Sequence, residues 1–213
     1  MRRRTPTSPN SRTAPPGRVR IVAGKWRRRF LQVADLPELR PTPERIRETL
    51  FNWLAPCIEG SRCLDLFAGT GVLGLEALSR GASEVVFVER DAVVLAALRK
   101  SIVDLMGDHM GDLIGDPGAG SSVTVHAGDA FEFLQRAEPL AVDIVFLDPP
   151  YADDSLKAVC GLLDKRAWLA PAASVYLEQD SRRHTPSFPP GWTVRREKKA
   201  GNVHYLLLQV NKQ

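Results

Sequence analysis

From residue 62 onward, short apolar runs alternate with stretches in which apolar residues recur every three or four positions. The runs read as strands at 62–67, 84–89, 123–126, 143–147, 174–178, near 193–196 and at 203–210. Helices are predicted at about 71–80, 92–105 and 130–138. Strands that alternate with helices imply an α/β fold. The expectation is a seven-stranded, mostly parallel, doubly wound sheet whose last two strands form a hairpin.

Ahead of this core the pattern changes twice. Residues 18–25 alternate briefly and then run into a cluster of arginines, which predicts a small β-hairpin with Gly24 near its turn and basic groups along one face. A helix is predicted to follow Pro41, with Thr42 as its N-cap, Pro43 at the first helical position and Glu44 in the first turn. Ile46, Leu50, Phe51 and Leu54 form its apolar stripe, Arg45 and Arg47 are placed off it, and Pro56 closes it. Residues 107–122 break the alternation with three Gly-Asp pairs and a proline, and read as a surface insertion. The organisation expected is a disordered basic arm over 1–17, a hairpin and helix over 18–56 and the α/β core over 57–213.

Charge adds a partner class. The 213 residues carry 29 basic and 25 acidic side chains, yet ten of the basic ones fall within residues 1–29 and the first acid is Asp35. A basic arm on an acidic body points to a polyanion such as nucleic acid. No apolar stretch approaches the roughly 20 residues needed to span a bilayer, so no membrane association is expected. The N-terminus lacks the apolar segment of a secretory signal. Three cysteines without a CxxC fit a reducing compartment, hence the cytoplasm, and no metal site is expected.

The candidate chemistry lies where strands end. Asp65 sits inside the first core strand just before the turn, and Gly69-Thr70-Gly71-Val72-Leu73-Gly74 carries the chain through that tight turn into a helix whose free N–H groups can face a ligand. The glycines also satisfy GxGxxG, so a dinucleotide and a mononucleoside-like cofactor both remain open. Glu89 ends the next strand, where a carboxylate can accept both hydroxyls of a ribose. Asp65 would meet a pyrophosphate awkwardly but can receive an ammonium group, which S-adenosylmethionine carries. Asp129, after the third strand, is placed to accept from an adenine amine or to cap a helix. Phe67, Arg90 and Ala130 flank these positions and complete the expected cofactor set.

The fourth core strand ends in Asp148-Pro149-Pro150-Tyr151. An exocyclic base amine can donate to the Asp148 side chain and the Pro149 carbonyl, while neither proline offers a competing N–H. Tyr151 can stack on the base. Lys25, Arg27, Arg40, Arg45 and Arg47 are the expected phosphate contacts.

With these residues in place the chain resembles the class I S-adenosylmethionine-dependent methyltransferases. Within them it is similar to the RsmD type, the 16S ribosomal RNA guanine-N2 methyltransferases. The resemblance runs from about Arg20 to Val210 and rests on four parts. They are 20–26, residues 40–52 with Arg45, Arg47, Glu48, Phe51 and Asn52, the 65–71 turn, and 148–151. It implies a Rossmann-like enzyme, a monomer, that uses S-adenosylmethionine to methylate N2 of one guanine of 16S ribosomal RNA in the small subunit or its assembly intermediate. The hairpin would grip the RNA. Methylation of DNA adenine or protein glutamine shares the Pro-Pro-Tyr type of site. An NAD-dependent oxidoreductase would leave Asp65 and 148–151 unexplained, and a non-catalytic RNA-binding assembly factor would keep the fold.

Overall fold

The computed structural model describes residues 17–34, 36, 41–107, 123–150 and 155–211. The arm over residues 1–16, Arg40, Tyr151 and nearly all of the 107–122 segment lie outside them. In chain order the elements are β1 (Arg18–Arg20), β2 (Phe30–Gln32), α1 (Glu44–Leu54), β3 (Arg62–Asp65), α2 (Val72–Ser79), β4 (Glu84–Glu89) and α3 (Ala92–Met106). They continue with β5 (Val123–Ala127), α4 (Ala130–Arg136), β6 (Val142–Leu147), α5 (Leu156–Lys165), β7 (Leu169–Asp180), β8 (Trp192–Ala200) and β9 (Val203–Val210).

The seven core strands form one sheet in the order β5-β4-β3-β6-β7-β9-β8. β3 to β7 run parallel, β9 is antiparallel to β7, and β8 pairs antiparallel with β9. The expected sheet and its terminal hairpin are therefore present. Two differences stand out: β7 spans 12 residues rather than five, and α5 was not expected. The buried residues of α5, Leu156, Val159, Cys160 and Leu163, recur at helical spacing.

Strand alternation sorts the core into two layers. Cys63, Ile144, Phe146 and Tyr176 face a cluster that includes α1, α2, α3 and the N-terminal hairpin. Leu64, Val145, Leu147 and Val175 face the other, with α4 and α5. By the same alternation Asp65 and Asp148 fall on the side of α1 and α2, two residues past Cys63 and Phe146.

The hairpin is clamped to α2. Val19 pairs with Leu31 between β1 and β2, and the intervening loop lays its backbone on Glu76 and Ser79. Val22 and Ala23 donate their N–H groups to the two oxygens of Glu76 at 2.8 and 2.9 Å, and the Lys25 N–H donates to the Ser79 carbonyl at 2.7 Å. Gly24 makes this approach feasible: its φ is +80°, and a Cβ there would lie 1.7 Å from the Ser79 carbonyl oxygen. Glu76, fully buried, also accepts from Arg47 at 3.2 Å and from Arg80 at 2.8 Å.

Two expectations for α1 are corrected here. Arg47 is 1% exposed and bound to Glu76, so it is not a surface contact for RNA. Position 47 precedes Leu50, Phe51 and Leu54 by three, four and seven residues, which puts it on the apolar stripe rather than off it. Thr42 does not cap the helix. Pro43 occupies the N-cap position without a side-chain bond, and the buried Thr42 hydroxyl reaches across the fold to Asp148.

Candidate active site

Strand order reverses between β3 and β6, and the crevice beyond the carboxyl ends of such strands is where open α/β sheets bind ligands. β3 is hydrogen-bonded to both β4 and β6, with Asp65 opposite Phe87 on one side and Phe146 on the other. Asp65, Glu89 and Asp148 thereby arrive at one edge of the sheet from three adjacent strands.

The turn after β3 is braced by two of these carboxylates. Ala68 donates to the Val88 carbonyl at 3.0 Å, and the Gly71 N–H closes the turn on the Ala68 carbonyl at 2.6 Å. Gly71 has a φ of +72° at the N-cap of α2, a left-handed conformation that favours glycine and leaves the helix without a side-chain cap. Asp65 supplies an anion there instead. Its Oδ2 accepts from the Gly74 N–H at 3.2 Å, within the first turn of α2, where the helix dipole favours negative charge. Glu89 accepts from the Gly69 N–H through Oε2 and from the Asp91 N–H through Oε1, both at 2.8 Å. A carboxylate oxygen offers two acceptor directions, so these bonds leave Glu89 able to take ribose hydroxyls.

Asp148 follows the last residue of β6. The Thr42 hydroxyl donates to its Oδ2 at 3.1 Å. Burial pushes the Asp148 carboxyl up to about 6, against that hydroxyl bond, which favours the ionised form. Burial likewise pushes Asp65 up to about 7, against the Gly74 N–H bond, and the charges of Asp148 and Glu89 add to the rise. None of the three is ion-paired with a cation among the described residues. Among the described residues, this edge therefore carries carboxylates with no cation paired to them. A cationic ligand with a ribose and an ammonium group fits that donor and acceptor set, whereas a pyrophosphate does not.

The remaining expected residues divide. Phe67 and Gly69 are half-buried in the turn, Arg90 is exposed after Glu89, and Ala130 is the buried first residue of α4. Asp129 caps α4, with Oδ1 accepting from the Phe131 and Glu132 N–H groups at 2.8 and 3.3 Å. Pro149 is buried and Pro150 exposed. Lys25 and Arg27 are exposed on the hairpin loop, Lys25 resting 4.3 Å from the Trp26 ring centroid, and Arg45 is exposed in the first turn of α1. Arg40 and Tyr151 lie outside the described residues. Thr42 and Glu76 shape this region and were not expected to. A single acid within the otherwise apolar run of α2 was the available signal for Glu76.

Among the described residues no cluster of His, Cys, Asp or Glu could hold a metal ion, and no helix is long and apolar enough to cross a membrane. The three cysteines are free.

Comparison with known proteins agrees with this geometry. Residues 19–209 match the family model described as Conserved hypothetical protein 95. The chain is 43% identical over 194 residues to the ribosomal RNA small subunit methyltransferase D of Escherichia coli K12, covering 91% of this chain and 90% of that one. The same-named protein of Haemophilus influenzae is 40% identical over 194 residues, with 91% and 94% covered. The solved structure of yhhF from Escherichia coli, described as a methyltransferase, superposes with a TM-score of 0.80 at 39% identity, over 92% of this chain and all of that one. A Rossmann-like core, a sheet edge lined by three carboxylates and a match across nearly the whole chain converge, and the protein belongs to the ribosomal RNA small subunit methyltransferase D family of S-adenosylmethionine-dependent enzymes.

Proposed function

We propose that this enzyme methylates the exocyclic N2 of one guanine in small-subunit ribosomal RNA, acting as a monomer on the subunit or its assembly intermediate. The observation that carries the reading is Asp148. It is a partly buried carboxylate at the end of β6, steadied by Thr42 and followed by two prolines, beside the Asp65–Gly71 turn. The names of the relatives supply the class of RNA.

When bound, S-adenosylmethionine supplies a methyl group on a sulfonium centre. Asp65 would hold its ammonium group and Glu89 its ribose, with Phe67, Gly69, Gly71, Arg90, Asp129 and Ala130 around them. A guanine drawn out of its stack exposes N2, which donates to Asp148 and to the Pro149 carbonyl. Tyr151 is assigned the stacking contact. Positioning the nitrogen and excluding water account for most of the acceleration. As the new N–C bond forms, an N–H proton becomes acidic. A carboxyl near 6 is a better base than an ordinary aspartate, yet is still mostly ionised at neutral pH. Lys25, Arg27, Arg40 and Arg45 are proposed to meet phosphates, and the exposed hairpin loop and α1 terminus put three of them on the solvent side.

The test is mass mapping of small-subunit RNA after incubating methyl-deficient subunits, and separately naked RNA, with labelled S-adenosylmethionine. Label on N2 of a single guanine, lost with Asp148→Ala, is expected. Label on neither RNA while S-adenosylmethionine still binds would overturn the ribosomal assignment.

A further inference from the structure

We propose that Thr42 is a positioning residue for methyl transfer, setting the orientation of the Asp148 carboxylate from the segment that leads into α1. The inference rests on Asp148 being the group that orients the amine.

A carboxylate at a strand end ordinarily accepts from backbone N–H groups one or two residues on. Asp148 has no such donors, because the next two residues are Pro149 and Pro150. The two prolines thus leave the carboxylate without a donor from either of the next two residues. Among the described residues the side-chain support comes from 106 residues away, where the Thr42 hydroxyl donates to Oδ2 at 3.1 Å, and Oδ1 is assigned to the amine.

Thr42 is well suited to hold a geometry. It is 3% exposed, and its β-branched side chain restricts χ1. Its backbone is fixed in turn: the Arg47 Nε donates to the Thr42 carbonyl at 3.1 Å, and Arg47 is anchored by Glu76. Glu76 also holds Val22 and Ala23 of the hairpin loop. A continuous set of hydrogen bonds therefore runs from the hairpin through Glu76, Arg47 and Thr42 to Asp148. The Thr-Pro-Glu segment would be an ordinary helix start if the hydroxyl capped α1. Because the helix is left without a side-chain cap, the hydroxyl serves the site instead.

The test compares Thr42→Val, which keeps shape and removes the donor, with Thr42→Ser, which keeps the donor. Thr42→Val is expected to lower kcat about 10- to 100-fold, the scale set by misplacing a reacting group, with KM for RNA changed less than about threefold. Thr42→Ser should restore kcat. The acid limb of the kcat–pH profile should move upward in Thr42→Val, since a bond favouring the ionised carboxylate is gone. Carbon-13 NMR titration of the Asp148 carboxyl, without RNA, should show the same upward move. Should Thr42→Val not fold, Thr42→Ala gives the same readouts. An unchanged carboxyl titration, or a loss confined to KM for RNA, would overturn the proposal. If the wild type methylates no RNA, the ribosomal reading fails, while the NMR titration still decides the role of Thr42.

Discussion

Two groups of carboxylates lie on the same face of this sheet and are treated oppositely. Glu76, fully buried in α2, is met by two guanidinium groups and two backbone N–H groups. Asp65, 2% exposed at the end of β3, is paired with no cation among the described residues and is pushed up to about 7 by burial. Asp148, on the next strand, is held by one hydroxyl. Glu76 is a saturated structural hub. Among the described residues the edge carboxylates remain under-compensated, and on the proposed function that shortfall is what a cationic cofactor would fill.

The largest effect that can break the comparison is at the hub. Glu76→Gln should leave Arg47, whose pKa burial already lowers, without its countercharge, at a cost of about 3–5 kcal/mol. Urea unfolding measures it, and a change near zero would mean that Glu76 is no more structural than Asp65. At the edge the sign reverses. The folded-state value of Asp65 is raised from 3.8 to about 7, so its ionisation costs stability, increasingly as pH rises from about 4 through 7. Asp65→Asn should therefore unfold at equal or higher urea than the wild type at pH 8, with the difference vanishing near pH 4. A less stable variant at pH 8 would place Asp65 with Glu76. The smallest effect belongs to Asp129, which caps α4 with two ordinary bonds. Asp129→Ala should cost about 1 kcal/mol in the same assay.

Much of this contrast was legible in the chain. Glu89 and Asp148 are readable because each ends an apolar run, and Asp65 because it interrupts one just before a glycine turn, and strand ends converge on the crevice of a doubly wound sheet. The partners of buried charges were not. Arg47 reads as a phosphate contact although it stands at helical spacing from Leu50 and Phe51, because a charged side chain is a poor marker of burial until its partner is known. That partner lies 29 residues further on. Thr42 reads as a cap because Thr-Pro-Glu satisfies the local rule, and a bond to a residue 106 positions away leaves no local trace. The period of α5 is present in Leu156, Val159, Cys160 and Leu163, although the expected elements do not include that helix.

The central claim, that the edge carboxylates are kept for a cationic ligand, is tested most directly by calorimetric titration of S-adenosylmethionine between pH 5.5 and 8.5, on the wild type and Asp65→Asn. Because the ligand favours ionised Asp65, wild-type affinity should hold above about pH 7 and fall as pH drops through that value, approaching tenfold per unit below it. Asp65→Asn should bind weakly and lose that slope. Tight binding by Asp65→Asn, or wild-type affinity that does not change across the range, would contradict the account.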